Sequence, residues 1–461
     1  MTEPTALSAS ALSAAIAAGE LSCVAVMQAY LARIERLNPQ YNALVSLRPR
    51  AELLAEARQC DAELARGQRR GWLHGIPQAP KDMLNVAGLP TTYGSPLFAD
   101  NLARQDDPLA QRLREAGAIF LGKSNTPEFA LGSSTYNRVF GITRNAHDPR
   151  LSAGGSSGGA ASAVALGLLP VADASDMMGS IRNPAAFNGL YGLRPTPGLI
   201  ATGANPEPGV AALATHGVLA RDAEDLHRLL QTLSGQTFDL PTRSAPPRIG
   251  WLGDLGGYLA LEDGIASGCQ QGLSELFGAA AVQPISLDLD LPVLWQAWQA
   301  LRASGLATRL RPLLDDPQKR SELKPELLWE VQLAEGLDSE ALATADYQRA
   351  SLYSQLLTAF ERHDLLALPS TQVFPFAAEL HWPERIGARG LDSYYRWMEV
   401  SLYASLAGCP VLNLPLSDPS GRRLGVQLIA PRHAEARLLA VAAEHQRRAG
   451  AAIAPVGDPL T

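Results

Sequence analysis

Apolar and polar positions follow one another along this chain in blocks short enough to name the elements they build. Residues 10–18 are small and apolar and close on Gly19, the pattern of a first helix. Ser22 then caps a second helix, on which Met27, Tyr30, Leu31 and Ile34 recur at i, i+3, i+4 and i+7, with a stop at Asn38-Pro39. A third helix is expected over 50–66. Beyond it, short apolar runs at 118–121, 167–172, 249–252, 365–368, 411–414 and 426–429 alternate with helical stretches. Each run is bounded by glycine, proline or charge, as buried strands of a helix-covered sheet are. Residues 288–349 are mostly helical in pattern and form a candidate insertion or cap, and the proline-rich 241–247 reads as a connector. The pattern predicts an α/β fold.

Composition agrees with an extensive core. Of 461 residues 46% are hydrophobic and 18% charged, against about 25% charged in a typical domain. The net charge is −7 without a basic run, so nucleic acid has little electrostatic support as a ligand. The first thirty residues carry Glu3 and Glu20 and lack a basic leader. The longest apolar run, 160–172, is interrupted by Ser162 and Pro170. A cytoplasmic protein that does not engage membranes is therefore expected. Cys23, Cys60, Cys269 and Cys409 are scattered, which suits free thiols in a reducing compartment rather than metal ligands.

The chemistry concentrates in 154–194, where Gly154-Gly155-Ser156-Ser157-Gly158-Gly159 and Gly179-Ser180 flank an alanine-rich run. Glycine in such density marks places where backbone approaches backbone or substrate closely. With Lys81 upstream in Pro80-Lys81-Asp82, and Ser156 and Ser180 separated by 24 residues, the chain resembles the amidase signature family of serine hydrolases. Segments 81–95, 122–145, 213–226 and 407–439 look like the family's in the same order, whereas 234–389 carries little likeness. The resemblance implies one amidase signature domain over 1–461, built on a large mixed β-sheet with helices on both faces.

It also implies roles. Ser180 is the nucleophile, at the start of a short helix where the backbone N–H groups of Met177, Met178, Gly179 and Ser180 form the oxyanion hole. Ser156, after a cis peptide at Gly155–Ser156, bridges Ser180 to Lys81. Lys81 must be neutral to act as base; lowering its pKa from about 10.4 to about 7 corresponds to roughly 4.6 kcal/mol. Asp176 and Arg182 hold the nucleophile loop, Ser157 supports the network by hydrogen bonding, and Ser175 hydrogen-bonds the lysine. No metal or cofactor is implied.

Two other motifs compete. Gly117 to Ser124, GAIFLGKS, satisfies the phosphate-loop pattern. Its interior is apolar and its helix comes before it, at about 107–115, the reverse of a phosphate cradle. Gly154 to Gly158 also fits the Gly-x-Ser-x-Gly elbow of an α/β-hydrolase esterase, with His433 or His445 after Asp364 or Asp418. That reading leaves Ser180 and Lys81 unexplained.

The chain departs from the family pattern in having Met178 where glycine is usual and Leu199 after Gly198. The glutamine-hydrolysing A-type subunits of tRNA-dependent amidotransferases usually keep both features, which makes that activity the alternative rather than the expectation. The expected activity is hydrolysis of a small neutral apolar or aryl amide through an acyl-Ser180 intermediate, with esters and carbamates (urethanase activity) as side substrates and a homodimer as a possible assembly. Met177, Met178 and Tyr136 are the candidate substrate contacts. Trp295, Trp298 and Leu301 share a helix face, and such spacing more often serves a core. An arginine to receive an anionic substrate is not supplied by the motifs.

Overall fold

A computed structural model describes residues 3–201, 213–241, 246–418, 420–449 and 453–457. Most of the expected 241–247 connector lies outside the described residues. An eight-stranded sheet organises the rest. In chain order its strands are β1 (Val171–Asp176), β2 (Tyr191–Arg194), β3 (Thr215–Ala220), β4 (Ile249–Trp251), β5 (Val282–Pro284), β6 (Leu365–Pro369), β7 (Val411–Ser417) and β8 (Arg423–Ile429). They lie side by side as β5-β4-β6-β8-β7-β2-β3-β1. The β5-β4-β6 end is parallel and the remaining pairings are antiparallel, so the sheet is mixed.

Both faces of the sheet are covered, and β6 shows why its sequence is continuously apolar. Successive side chains of a strand point to opposite faces. Leu365 and Ala367 join one hydrophobic cluster while Leu366 and Leu368 join another. The run 118–121 departs from expectation: Ile119–Phe120 pairs in parallel with Pro77–Gln78 in a separate two-stranded unit. The run 167–172 enters its strand late, at Val171, because Gly167 turns the chain at φ 67°. Strands β2 and β3 lie in stretches whose glycines and polar residues hide them from pattern, and β5 is a short, largely exposed edge. Their state is fixed by their neighbours in the sheet.

Six helices matter for the site: α1 (Cys23–Tyr41), α2 (Gly158–Ala165), α3 (Arg182–Asn188), α4 (Leu291–Leu314), α5 (Pro325–Glu335) and α6 (Ser339–Arg362). Ser22 caps α1 as expected, its Oγ accepting from Ala25 N at 3.0 Å. The helix runs through Pro39, however, and ends where Asn42 turns left-handed at φ 50°. Asn38 Oδ1 closes that end by accepting from the N–H groups of Ala43 and Leu44 at 3.0 and 2.9 Å. The helical segment expected over 288–349 is realised as α4 to α6, with a short helix Pro317–Ser321 between the first two. On α4, Trp295, Trp298 and Leu301 are buried in the second cluster, so they are core. Further along, Leu306 and Leu310 pack with Phe129 and Leu131 in a third.

All four cysteines are free and buried. Among the described residues no helix is long and apolar enough to cross a membrane. The position of α4 rests on Trp298, which is fully buried. Trp298→Ala is expected to cost about 3–5 kcal/mol, read as a lower midpoint in chemical denaturation.

Candidate active site

Lys81 enters the site from an extended segment that continues Pro77–Gln78 and bridges to Ser124. Asp173 and Ser175 stand two apart on β1 and so share a face. Lys81 lies along it: its N–H donates to Asp173 Oδ2 at 3.2 Å and its amine reaches Ser175 Oγ at 3.0 Å. Two more hydroxyls complete the shell, Ser156 Oγ at 2.8 Å and Ser157 Oγ at 2.9 Å. The side chain is 1% exposed. Burial lowers its pKa from 10.5 to about 7, against an opposing pull from the Asp173 and Asp176 carboxylates. Asp82 turns elsewhere, accepting from Thr92 N and lying 3.9 Å from the Lys123 amine.

The two glycine-serine turns are stitched to each other. Ser157 N donates to Ser180 O at 3.2 Å, and Gly155 N donates to Asn183 Oδ1 at 3.0 Å. The Gly155–Ser156 peptide is cis. A Cβ on residue 155 would lie 2.9 Å from the Ser134 carbonyl carbon, so this turn accepts only glycine. Thr135 Oγ1 ties down both ends of the turn, donating to Gly154 O at 2.9 Å and accepting from Gly158 N at 3.0 Å.

At the turn that follows β1, Asp176 and Arg182 form a fully buried bidentate pair at 2.8 and 3.1 Å. Arg182 also donates to Ser401 O, Gln427 Oε1 and Ser405 Oγ at 2.8, 2.8 and 2.6 Å, so its charge is answered on every side. Asp176 additionally accepts from Gly179 N at 2.8 Å and Ile181 N at 2.9 Å. Burial alone would raise its pKa, yet the arginines and these donors hold it well below the usual carboxylate range. Gly179 N–H is thereby committed to the loop, which changes the expected four-donor oxyanion hole. The N–H groups of Met177, Met178 and Ser180 have no such partner among the described residues. Gly179 carries the turn's positive φ, 87°. Met178 needs no left-handed backbone, which answers how a side chain fits where glycine is usual.

A cavity of about 410 Å³ opens over this cluster, bordered by Ser156, Ser175 and Ser180 together with Met83, Phe129, Leu131, Met177, Met178, Ile200 and Met398. Ser180 lines it but its Oγ makes no hydrogen bond to Ser156 within the protein; such contacts often tighten only when substrate binds. Tyr136 is not among the lining residues. Its OH donates to Glu326 Oε1 at 2.7 Å and its ring stacks on His381 at 3.9 Å. Two arginines from outside the motifs border the cavity, Arg302 and Arg309. Arg302 is buried and paired with Glu330 at 2.6 and 2.9 Å, while Arg309 is exposed. His216 lines the cavity as well. Sequence reasoning missed Asp173, Thr135, Asn183, Arg302 and His216; the period-2 pattern of β1, with Asp173 two before Ser175, was the one usable signal.

The rival motifs dissolve in three dimensions. Gly117 to Ser124 follows a helix (Pro108–Glu115) and contains two short strands, Ile119–Phe120 and Lys123–Ser124, instead of a loop entering a helix. His445 Nδ1 is bonded to Tyr191 OH at 2.6 Å, and neither His445 nor His433 lines the cavity. Cys60, Glu63 and His74 bring ligand-type atoms within 4.8 Å of one another. Two of the three are already engaged: the His74 ring contacts Cys60 O and Arg70 N at 3.0 and 3.2 Å, and Glu63 pairs with Arg70.

Comparison with known proteins decides the family. A family model described as Amidase matches residues 25–251 and 310–439. The chain belongs to the amidase signature family. It is a hydrolase of amide C–N bonds. An acylamidase of Rhodococcus erythropolis is 31% identical over 95% of each chain. The A-type subunit of the glutamyl-tRNA(Gln) amidotransferase of Salinispora tropica is 32% identical over 96% of this chain and 97% of its own. A crystal structure of an amidase superimposes with TM-score 0.85 and 29% identity, over 96% of this chain and 100% of that one. The match runs to residue 251 and resumes at residue 310, so it reaches into the stretch 234–389 from both sides, and Arg302 and Arg309 fall in the unmatched gap.

Because a buried amine destabilises the fold only while it is charged, stability tests the Lys81 environment. Below about pH 7 it is charged in folded and unfolded chains alike and the full desolvation cost applies; above about pH 10.4 it is neutral in both. Lys81→Met is therefore expected to raise Tm most at pH 6, where the gain reaches at most about 5 kcal/mol. The gain should fade between pH 7 and 10.5. A gain independent of pH would contradict a neutral Lys81.

Proposed function

We propose that this amidase cleaves small neutral amides with apolar or aryl groups through an acyl-enzyme on Ser180, using Ser156 and Lys81 to move the proton. The observation that carries this reading is the amine of Lys81, buried and 2.8 Å from Ser156 Oγ. A neutral amine has two N–H bonds and one lone pair, which three hydroxyls can satisfy: Ser157 and Ser175 accept, and Ser156 donates to the lone pair. Ser156 can then take the proton of Ser180 as that oxygen attacks the carbonyl. Charge growing on the carbonyl oxygen is received by the N–H groups of Met177, Met178 and Ser180, each such donor being worth on the order of 10²–10³ in rate. The same proton returns through Ser156 to the leaving nitrogen, and water repeats the sequence to release the acid.

The largely apolar lining supports a neutral substrate: of the two bordering arginines, Arg302 is paired with Glu330 and Arg309 is exposed to solvent. The amidotransferase reading is favoured by one observation, the 32% identity to an A-type amidotransferase chain. It requires glutamine-dependent ammonia release, and a preference for glutamine over neutral anilides would overturn the proposal. Helices α4 to α6 act in this account as a cap on a single catalytic domain.

Ser180→Ala is expected to abolish acylation, seen as the loss of the acyl adduct by intact-protein mass spectrometry. Ser156→Ala and Lys81→Ala are expected to lower kcat/KM by about 10²–10⁴, whereas His433→Ala and His445→Ala are expected to have little effect. The base acts only when deprotonated, so kcat/KM should rise with pH through about 7 and stay level into the alkaline range. A profile still climbing at about pH 10 would mean that burial does not tune Lys81.

A further inference from the structure

One chemically capable side chain in the cavity has no part in the proton path. His216 lies on β3 directly opposite Ser175 of β1. Opposite residues of an antiparallel ladder project to the same face with Cβ atoms about 5 Å apart. Ser175 Oγ accepts from Lys81 Nζ at 3.0 Å, so His216 stands beside the hydroxyl shell of the lysine. It also borders the cavity together with Ser156 and Ser180.

The two nitrogens of its ring are in different situations. Nδ1 is buried and has no hydrogen-bond partner. A buried N–H without an acceptor costs more than a buried lone pair, because orphaned donors are the rarer and dearer defect. The proton accordingly sits on Nε2, which makes that atom a donor. The ring is half-buried and the rest of its surface borders the cavity. Burial first, and the charge of Lys81 second, lower its pKa to about 4. It stays uncharged at working pH and is too weak a base to compete with Lys81.

We infer that His216 determines specificity: its Nε2–H donates to an oxygen acceptor that the substrate carries close to the scissile amide, so that neutral amides with an ether or carbonyl oxygen there are preferred over their all-carbon counterparts. This inference rests on the acyl-Ser180 reading of the cavity.

The test uses two matched pairs in which an ether oxygen replaces a methylene. Methoxyacetyl and butyryl p-nitroanilide differ on the acyl side; the acetamides of 2-methoxyethylamine and butylamine differ on the amine side. The readout is the ratio of kcat/KM for the ether to that for the alkyl compound, in which losses common to both substrates cancel. Glutamine can place an N–H where histidine has Nε2, whereas asparagine places its own where histidine has Nδ1. His216→Gln should keep the wild-type ratio in both series. His216→Asn and His216→Phe should each lower it about fivefold in one series, the size of one hydrogen bond. The series that responds tells on which side of the scissile bond the donor faces. Should the Phe variant not fold, the Asn and Gln variants carry the same comparison. Ratios unchanged within about twofold in both series would overturn the role of His216. Hydrolysis that persists in Ser180→Ala would instead overturn the acyl-Ser180 reading of the cavity beneath it.

Discussion

The structure is arranged around the removal of one amine from water. A lysine amine in bulk solvent is charged and useless as a base near neutrality; at 1% exposure Lys81 is shifted to where it can accept a proton. The chain has four lysines, Lys81, Lys123, Lys319 and Lys324, and three of them are buried. Lysine, which most proteins spend on their surface, is reserved here for the interior, and arginine supplies nearly all the surface cations. Dehydration alone would leave the amine without hydrogen bonds. The three serine hydroxyls supply them without adding charge, which is why the turn 154–159 must carry two serines and why Ser175 belongs on β1.

A second buried charge serves the opposite purpose. Asp176 and Arg182 are also out of water, but each meets the other, and their remaining hydrogen-bond capacity is filled by loop N–H groups and by Ser401, Gln427 and Ser405. Such a pair is costly to break from one side. It fixes the direction in which the N–H groups of 177–180 point. One donor, Gly179 N–H, is given up to gain that rigidity. The site thus contains one ionisable group left adjustable and one ion pair locked, within a few residues of each other on β1 and the turn after it.

The sequence carried this site better than it carried the sheet. Lys81, Ser156, Ser157, Ser175, Ser180, Asp176 and Arg182, which the structure brings together, could be singled out because dense glycine-serine turns are rare local sequences. The strands β2 and β3 were not, since Tyr-Gly-Leu-Arg and Thr-His-Gly-Val-Leu-Ala become strands through partners distant in the chain. The cavity wall was illegible for the same reason: Arg302 sits on α4, more than a hundred residues from Ser180, and only packing brings the two together. Tyr136, adjacent to a recognisable loop, reads as a substrate contact by proximity in sequence, yet its hydroxyl is held by Glu326 outside the cavity lining.

The central claim is that Lys81 is neutral in the working enzyme. With four lysines in the chain, the ¹³Cε resonances of lysine-labelled protein can be followed one by one, the Lys81 signal being assigned as the one absent from Lys81→Met. Titration of that resonance should give a midpoint of about 7, below that of Lys123 at about 8. A Lys81 midpoint near the solution value of about 10.4 would contradict the account, because the amine would then be charged where the proposed mechanism needs its lone pair.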